Sequence, residues 1–585
     1  MLHRTRFLPV LLTAATLLPT PAHAAPPALT VTFAPRASAT APARVDTVTV
    51  TLRLSGLANK AGTPVLQLPL VASNVDTVAS LLGTLHARDA AGPLLLHPRD
   101  AELADSADGD SVSGGPGRQW RAPRAIRGTL VVSYRVPAQA ILPPRGPAPP
   151  FAFSADGGAV SAAGQVFLLL PPSTTRWRAT FGFDLSRAPK GSQGVSSLGA
   201  GTVTAAEPLD ASALRQSFFM AGPIGTWPTG PAQAGFFGAW QGHPAFDAGA
   251  LLAWTGALHG HYRQMFAQTR PAPYGVFLRY NPINAGGGVG LHQAFVTTFG
   301  AGRGADLATI RITLAHEMFH TFQPYITRPG GLESSWFGEG LATFYQARLP
   351  FRFGMIDADA FLHDLNWTAA RYYTSAMAGV PNAQVPARFW ADTRIRTLPY
   401  DRGMLYFATV DHALRQKSGG RESLDTLVLA LLARQKAGAA LANADWEDQL
   451  ARHLGPQAVA DFRAFLDGAV PLPASDAFGP CFARTTARLR RYDLGFATDV
   501  LAEPKRVVRG LVAGSAAALA GVRDGDEIVD PVPQDGIQGE QTQQLTLRLR
   551  REGRVFTVTY LPRGETVDAW QWQRVPVSPG TACAL

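Results

Sequence analysis

The sequence predicts a multidomain α+β protein. A β-sandwich-like domain stands at the N-terminus, a mainly helical domain in the centre and a small β domain at the C-terminus. Three observations carry this. The chain has 585 residues, too many for one hydrophobic core, so roughly two to four domains are expected. Up to about residue 215, β-branched and apolar residues alternate with polar ones at period two, the pattern of half-buried strands. From about 216 to 466 the apolar residues recur at helical spacing.

In chain order, the first segment reads as a targeting signal. His3, Arg4 and Arg6 give a positive start, Phe7 to Leu18 is a short apolar stretch, and Ala22-His23-Ala24 offers small residues for cleavage after Ala24. The apolar stretch is too short to span a bilayer and is interrupted by Pro9. The protein from residue 25 on is expected to be exported, to a periplasm or the extracellular medium, with no membrane span. Residues 25–215 form the N-terminal β domain. Its clearest strands are Leu29–Phe33, Thr47–Leu52, Thr129–Tyr134 and Ala179–Phe183, with proline- and glycine-rich punctuation such as Pro143-Pro144-Arg145-Gly146-Pro147.

Residues 216–478 form the central domain. Phe246–Ala267 reads as a helix with Leu251, Leu258 and Tyr262 on its apolar side, and Tyr274–Tyr280 as a strand. The glycine-rich run Gly286–Leu291 follows, then a helix from Asp306 to Phe322, stopped by Pro324. Later helices are clearest at Glu422–Arg434 and Asp445–Leu454. Residues 485–578 form the C-terminal β domain, with a hairpin from Leu545–Leu549 to Val555–Leu561.

Composition excludes more than it assigns. Apolar residues make up 46% of the chain, ordinary for globular protein. The net charge of +10 comes from basic residues scattered along the chain, with short clusters such as Arg488, Arg490 and Arg491 and no nucleic-acid motif beside them, so a solvated surface is the better reading. The only cysteines are Cys481 and Cys583. In an exported protein an even number suggests a bridge, and these two bracket the C-terminal domain.

One constellation carries chemistry. His316 and His320, in His316-Glu317-Met318-Phe319-His320, lie four apart on the predicted helix and project from one face. Eighteen residues separate His320 from Glu339 in Trp336-Phe337-Gly338-Glu339-Gly340, enough for a loop and the start of a second helix. Two imidazoles and a carboxylate are a ligand set for one catalytic zinc ion per chain, and Glu317 is placed to take a proton from an attacking water. The bland alternative is a helix with two surface histidines; Glu339 weighs against it.

These residues resemble the gluzincin metallopeptidases, which include thermolysin and aminopeptidase N. Trp336 to Tyr345 resembles the second metal helix of the glycyl aminopeptidase family, gluzincins with an N-terminal β domain, a thermolysin-like catalytic domain and a C-terminal PDZ domain. Pro399-Tyr400-Asp401-Arg402-Gly403 resembles the segment that carries their catalytic tyrosine. The resemblance implies that Glu317 is the general base and that Tyr400 donates to the oxyanion. Without it, Tyr400 is an ordinary tyrosine before a helix. Tyr406, six residues on, is expected to be nearly silent on loss of its hydroxyl. Alone, the glycine-rich run reads as a flexible turn. In the family the matching strand edge binds extended substrate, which implies substrate contacts at Gly288, Gly290, Leu291 and His292. The family's amine-binding glutamate is missing there, and His292 stands in that region. Leu494-Gly495-Phe496 resembles the PDZ carboxylate-binding loop, and Val512–Val522 followed by Asp524–Val529 resembles the rest of that fold.

Three readings stay open on the sequence: a zinc peptidase acting on peptides or proteins, a catalytic relic that binds peptides through its PDZ-like domain, and a zinc hydrolase of a non-peptide substrate.

Overall fold

The computed structural model describes residues 27–103, 115–139, 148–229, 235–268, 273–281, 285–300, 302–532 and 534–585. The segment read as an export signal and the proline run at 143–147 lie outside the described residues.

Alternation builds the N-terminal half. Ala28–Ala37 turns Leu29, Val31 and Phe33 to one face and buries them fully. It pairs antiparallel with Val45–Ser55 and parallel with Arg178–Phe183 inside a nine-stranded sheet. A five-stranded sheet with Phe218–Gly222 at its centre packs against it. Aromatic rings fill the space between, with Phe219 stacked on Phe33 at 5.6 Å and tilted against Phe181 at 4.8 Å. The β-rich part therefore runs past residue 215, where the sequence reading ended it. Phe218–Gly222 pairs with Ala159–Ala163 and Gln193–Ser196. All five of its residues are buried, so it shows no alternation by which to read it.

A third sheet joins this half to the helices. Its order is Gly225–Trp227, Phe236–Trp240, Tyr274–Tyr280, Ala294–Phe299 and Gly288–Leu291, and the helix Ala248–Met265 connects its second and third strands. The sheet is buried on both faces. Phe277 and Val296 belong to the N-terminal core, while Val276, Leu278 and Phe295 belong to the central one. Gly288–Leu291 is its edge strand and is held by that double burial.

The histidine helix, Leu307–Phe319, begins at Asp306, whose carboxylate accepts from the Ala308 and Thr309 N–H groups at 3.2 and 3.0 Å. It ends three residues earlier than the sequence suggests. His320 is its C-cap, and Thr321 and Phe322 donate back to Met318 and Phe319 in a tightened last turn. The glutamate helix, Ser335–Arg352, and the tyrosine helix, Leu398–Ser418, cross at Gly340 and Gly403. A Cβ on Gly403 would lie 2.6 Å from the Gly340 Cα and from the Trp336 carbonyl oxygen. Among the described residues no helix is long and apolar enough to cross a membrane.

The C-terminal part has a core of its own, including Val508, Ile528, Leu547 and Tyr560. A four-stranded sheet, Arg506–Val507, Glu527–Ile528, Leu545–Arg551 and Arg554–Tyr560, carries it. A long ribbon of Phe482–Tyr492 paired with Arg563–Arg574 attaches it to the helices. Asn366 acts there as a substitute strand. Its side-chain amide donates to the Trp572 carbonyl at 2.7 Å and accepts from the Trp572 N–H at 2.8 Å.

The glycine crossing generates a stability prediction. Gly403→Ala puts a methyl against backbone that cannot rotate away, and is expected to cost about 1–3 kcal/mol. Gly260→Ala, in the open middle of its helix with nothing within 4 Å of the new Cβ, is expected to stabilise by up to about 1 kcal/mol. Chemical denaturation of the two variants checks the contrast, and equal effects would refute the close-packing argument.

Candidate active site

The histidine and glutamate helices bring three ligand atoms together. Nε2 of His316 and Nε2 of His320 lie 3.2 and 3.3 Å from the same oxygen of Glu339. His316, His320 and Glu339 are the one group of this kind among the described residues, with all ligand atoms within 4.8 Å of one another.

The far sides of both rings are engaged by amides. His316 Nδ1 meets Gln346 Oε1 at 2.9 Å, and the Gln346 amide nitrogen donates to both Asp364 oxygens at 2.9 and 3.0 Å. His316 therefore donates from Nδ1 and turns a lone pair at Nε2 toward the centre. His320 Nδ1 meets the Gln323 side chain at 2.8 Å through its amide nitrogen, while Gln323 Oε1 is buried without a partner. Exchanging the two ends of that amide, which differ only in hydrogen content, lets His320 donate to Oε1 and frees its Nε2 as well. Two neutral imidazoles held this way and one carboxylate fit zinc.

Burial lowers the His320 imidazole, but Glu339 and Glu317 outweigh it and raise it, so positive charge is favoured at this centre. Burial raises the Glu339 carboxyl, but His320 and His316 outweigh it and hold the group well below the usual carboxylate range, so it stays ionised. Burial lifts Glu317, with only partial compensation from the two histidines, which suits a proton acceptor. The edge strand steadies Glu317. Leu291 and Ala294 flank a two-residue turn, so Gly290 presents its N–H outward from the ladder. That N–H donates to Glu317 Oε2 at 2.8 Å. A Cβ on Gly290 would come within 3.4 Å of the same oxygen, so little room is left between strand and helix.

Tyr400, in the first turn of its helix, stacks on His316 with ring centroids 5.8 Å apart. Burial first, then Glu339, push its hydroxyl well above the ordinary tyrosine range, so it remains a donor. Glu317, Glu339 and Tyr400 share one cleft of about 1710 Å³.

The other residues singled out from the sequence fare differently. Gly288, Gly290, Leu291 and His292 all line the cleft, and the Leu291 side chain also packs into the N-terminal core. His292 sits in the hairpin turn. Burial pushes its imidazole down, and the charged groups that act on it are Asp210 and Arg176 of the N-terminal half. In Leu494-Gly495-Phe496 one of the three backbone N–H groups is engaged. The Gly495 N–H donates to Asp493 Oδ1 at 2.8 Å, the Leu494 carbonyl accepts from the Tyr560 hydroxyl at 2.9 Å, and both large side chains are buried. The chain then turns into a 3₁₀ helix at Thr498–Ala502 where a groove strand would run. Cys481 and Cys583 are joined, with Cα atoms 5.2 Å apart. The Tyr406 hydroxyl accepts from the buried Trp446 indole at 2.9 Å, so its loss bears on packing. The sequence reading missed Gln346 and Asp364. Gln346 carried a signal, since it lies seven residues past Glu339 and so on the same helix face.

The class is thus a mixed α+β multidomain fold with a three-ligand metal site between two helices. The same fold is found in the crystal structure of an aminopeptidase N family protein from Idiomarina loihiensis. The similarity covers 93% of this chain and 98% of that one, at 16% identity and a TM-score of 0.62. An M1 zinc metallopeptidase from Deinococcus radiodurans is similar over 76% of this chain and 94% of its own, at 16% identity and a TM-score of 0.45. Native leukotriene A4 hydrolase from Saccharomyces cerevisiae is similar over 76% and 68%, at 13% identity and a TM-score of 0.45. The fold likeness rests on the first of these. No family model and no curated protein matches the chain.

The outer amides predict a graded effect on metal. The purified protein is expected to hold about one zinc ion per chain, and His316→Ala to abolish this. Gln346→Leu, which keeps the ligands but strands the His316 Nδ1–H, is expected to weaken zinc by about 10- to 100-fold. Chelator competition measures both, and wild-type affinity in Gln346→Leu would show that the amide does not orient the ring.

Proposed function

We propose that this chain is an exported zinc metallopeptidase that hydrolyses peptide bonds, similar in organisation to the PDZ-containing glycyl aminopeptidases. One observation carries the reading: His316, His320 and Glu339 converge on a point that Glu317 borders and Tyr400 overlooks. The likeness in fold to an aminopeptidase N family protein supports it. Zinc bound there would polarise the scissile carbonyl and acidify the attacking water. Glu317, anchored at Oε2 by Gly290, takes the water proton and returns it to the leaving amine. Tyr400 donates its hydroxyl hydrogen to the oxygen that gains charge. The edge strand offers outward backbone groups at Gly288 for pairing with extended substrate. The Cys481–Cys583 bridge supports an oxidising compartment.

Recognition of a free amine is not built into the hairpin. His292 stands where a carboxylate would be needed, and burial holds it toward the neutral form. Peptides with blocked N-termini are expected to be cleaved at rates comparable with free ones. Strict dependence on a free amine would overturn that part.

The chemistry is tested by three conservative variants. Glu317→Gln is expected to retain zinc and lose about 10²- to 10⁴-fold in kcat. Tyr400→Phe is expected to lose about 10²-fold in kcat with little change in KM. Tyr406→Phe should keep turnover but lose about 1–3 kcal/mol of stability, because it orphans the Trp446 N–H. Steady-state kinetics on a mixed peptide library, with zinc analysis, decides; full activity in Glu317→Gln would sink the mechanism.

A further inference from the structure

The C-terminal unit enters the cleft through one short segment. Asp535, Gly536 and Ile537 form part of its wall. The same segment grips the helical turn Thr393–Arg396, which leads through Thr397 into the tyrosine helix, where Tyr400 is the third residue. Thr393 donates its hydroxyl to the Asp535 carboxylate, and the Arg396 guanidinium lies 2.9 Å from the same group. Beneath them the Gln538 amide donates to the Thr393 hydroxyl and carbonyl at 2.8 and 3.3 Å. Thr393 and Gln538 are both 2% exposed. Arg396 is also held flat, over the rings of Trp390 and Phe389 at 5.3 and 5.9 Å. Gly539 backs onto Trp367 so closely that a Cβ would meet its indole nitrogen at 2.6 Å.

Attachment of the unit does not require this. The ribbon on Asn366 and the disulfide already fasten it. Burying a threonine and a glutamine under an ion pair costs desolvation and returns little net stability, and such groups are best attested where they fix one register. The register fixed here is that of the turn before Tyr400.

We propose that Asp535 is a positioning residue: through Thr393 and Arg396 it fixes the turn that sets Tyr400 in the cleft, so that hydrolysis depends on the docked C-terminal unit. This rests on the reading of Tyr400 as the oxyanion donor. A misplacement of about 1 Å is enough to cost one to two orders of magnitude in rate.

The full chain tests it. Asp535→Asn is expected to lower kcat on a peptide by about tenfold or more, with KM within about threefold and zinc content unchanged. Asp535→Glu, which keeps the charge, should recover part of the loss. Arg396→Gln should lower kcat likewise, and the double variant should be no worse than Asp535→Asn alone, since the Arg396 contact to Asp535 is already lost there. Arg509→Gln, which breaks a surface pair with Asp499 and Glu503 on the same unit, should leave kcat unchanged. Hydrogen exchange without substrate provides a readout independent of turnover, and amides 393–400 should exchange faster in Asp535→Asn. Wild-type kcat in Asp535→Asn and Asp535→Ala overturns the inference. So does a loss of kcat with unchanged exchange or with lost zinc, because the effect then does not pass through the turn. If the zinc-loaded wild type cleaves no peptide, the functional reading fails, and the exchange measurement alone decides whether Asp535 sets the turn.

Discussion

The site depends on how closely two helices approach at Gly340 and Gly403. Glu339 precedes one glycine and Tyr400 lies one turn before the other, so the crossing that joins the backbones also sets ligand against donor. No side chain fits between them, because a Cβ on either residue would sit within 2.7 Å of the facing Cα. Around this contact the packing is aromatic and dense. Trp336 stacks on Phe407 at 5.8 Å, and Phe462 lies 5.0 Å from it. Ion pairs pin the tyrosine helix at two levels. Arg371 reaches Asp401, beside Tyr400, at 2.7 Å, and Arg348 reaches Asp411 at 2.6 Å. Pairs buried this deeply add little net stability, but removing one partner strands a charge, so they hold the helix to one rotation and one depth.

The charge pattern at the centre follows from burial. Glu339 sits between two imidazoles and is the one ligand that brings negative charge. The ring partners beyond the metal site are amides, Gln346 and Gln323, with Asp364 placed one step further out behind Gln346. An amide oxygen fixes the ring and its tautomer without adding a second anion. That leaves Glu317 as the other carboxylate in the cavity close to the ligands. Its raised proton affinity comes chiefly from burial, with the neighbouring charges as corrections. Anchoring by a backbone N–H rather than by a cation preserves that affinity.

The legible parts of the molecule were those written in short-range pattern. Leu29–Phe33 and Thr47–Leu52 alternate because one face is buried, and the strands Ala28–Ala37 and Val45–Ser55 contain them. The histidine helix, from about Asp306, and the return of Glu339 on a second helix were readable from spacing. Phe218–Gly222 was not, because a strand buried on both faces carries no period. The tightened end of the histidine helix depends on i→i+3 bonds that no residue type announces. At Leu494-Gly495-Phe496 the motif names residue types, whereas carboxylate binding needs free N–H groups, and Asp493 takes the one on Gly495. The bond from Trp446 to the Tyr406 hydroxyl was not legible either, since the two residues lie forty apart.

Three parts of the chain meet in the cleft, and each supplies a different kind of control. The sheet packed between two cores presents an edge strand, half-buried except for Leu291, with which an extended substrate could pair under the proposed function. The histidine and glutamate helices supply the three residues that would hold a metal and the proposed base, Glu317. The turn before Tyr400 is a four-residue helix, too short to hold its own shape, and it stands where the charge on the reacting carbonyl would be met. The segment around Asp535 compensates for that weakness with side chains that only the folded C-terminal unit brings there. A short helix next to the chemistry, braced from another part of the chain, makes the placement of the tyrosine a property of the assembled molecule rather than of the helical domain alone.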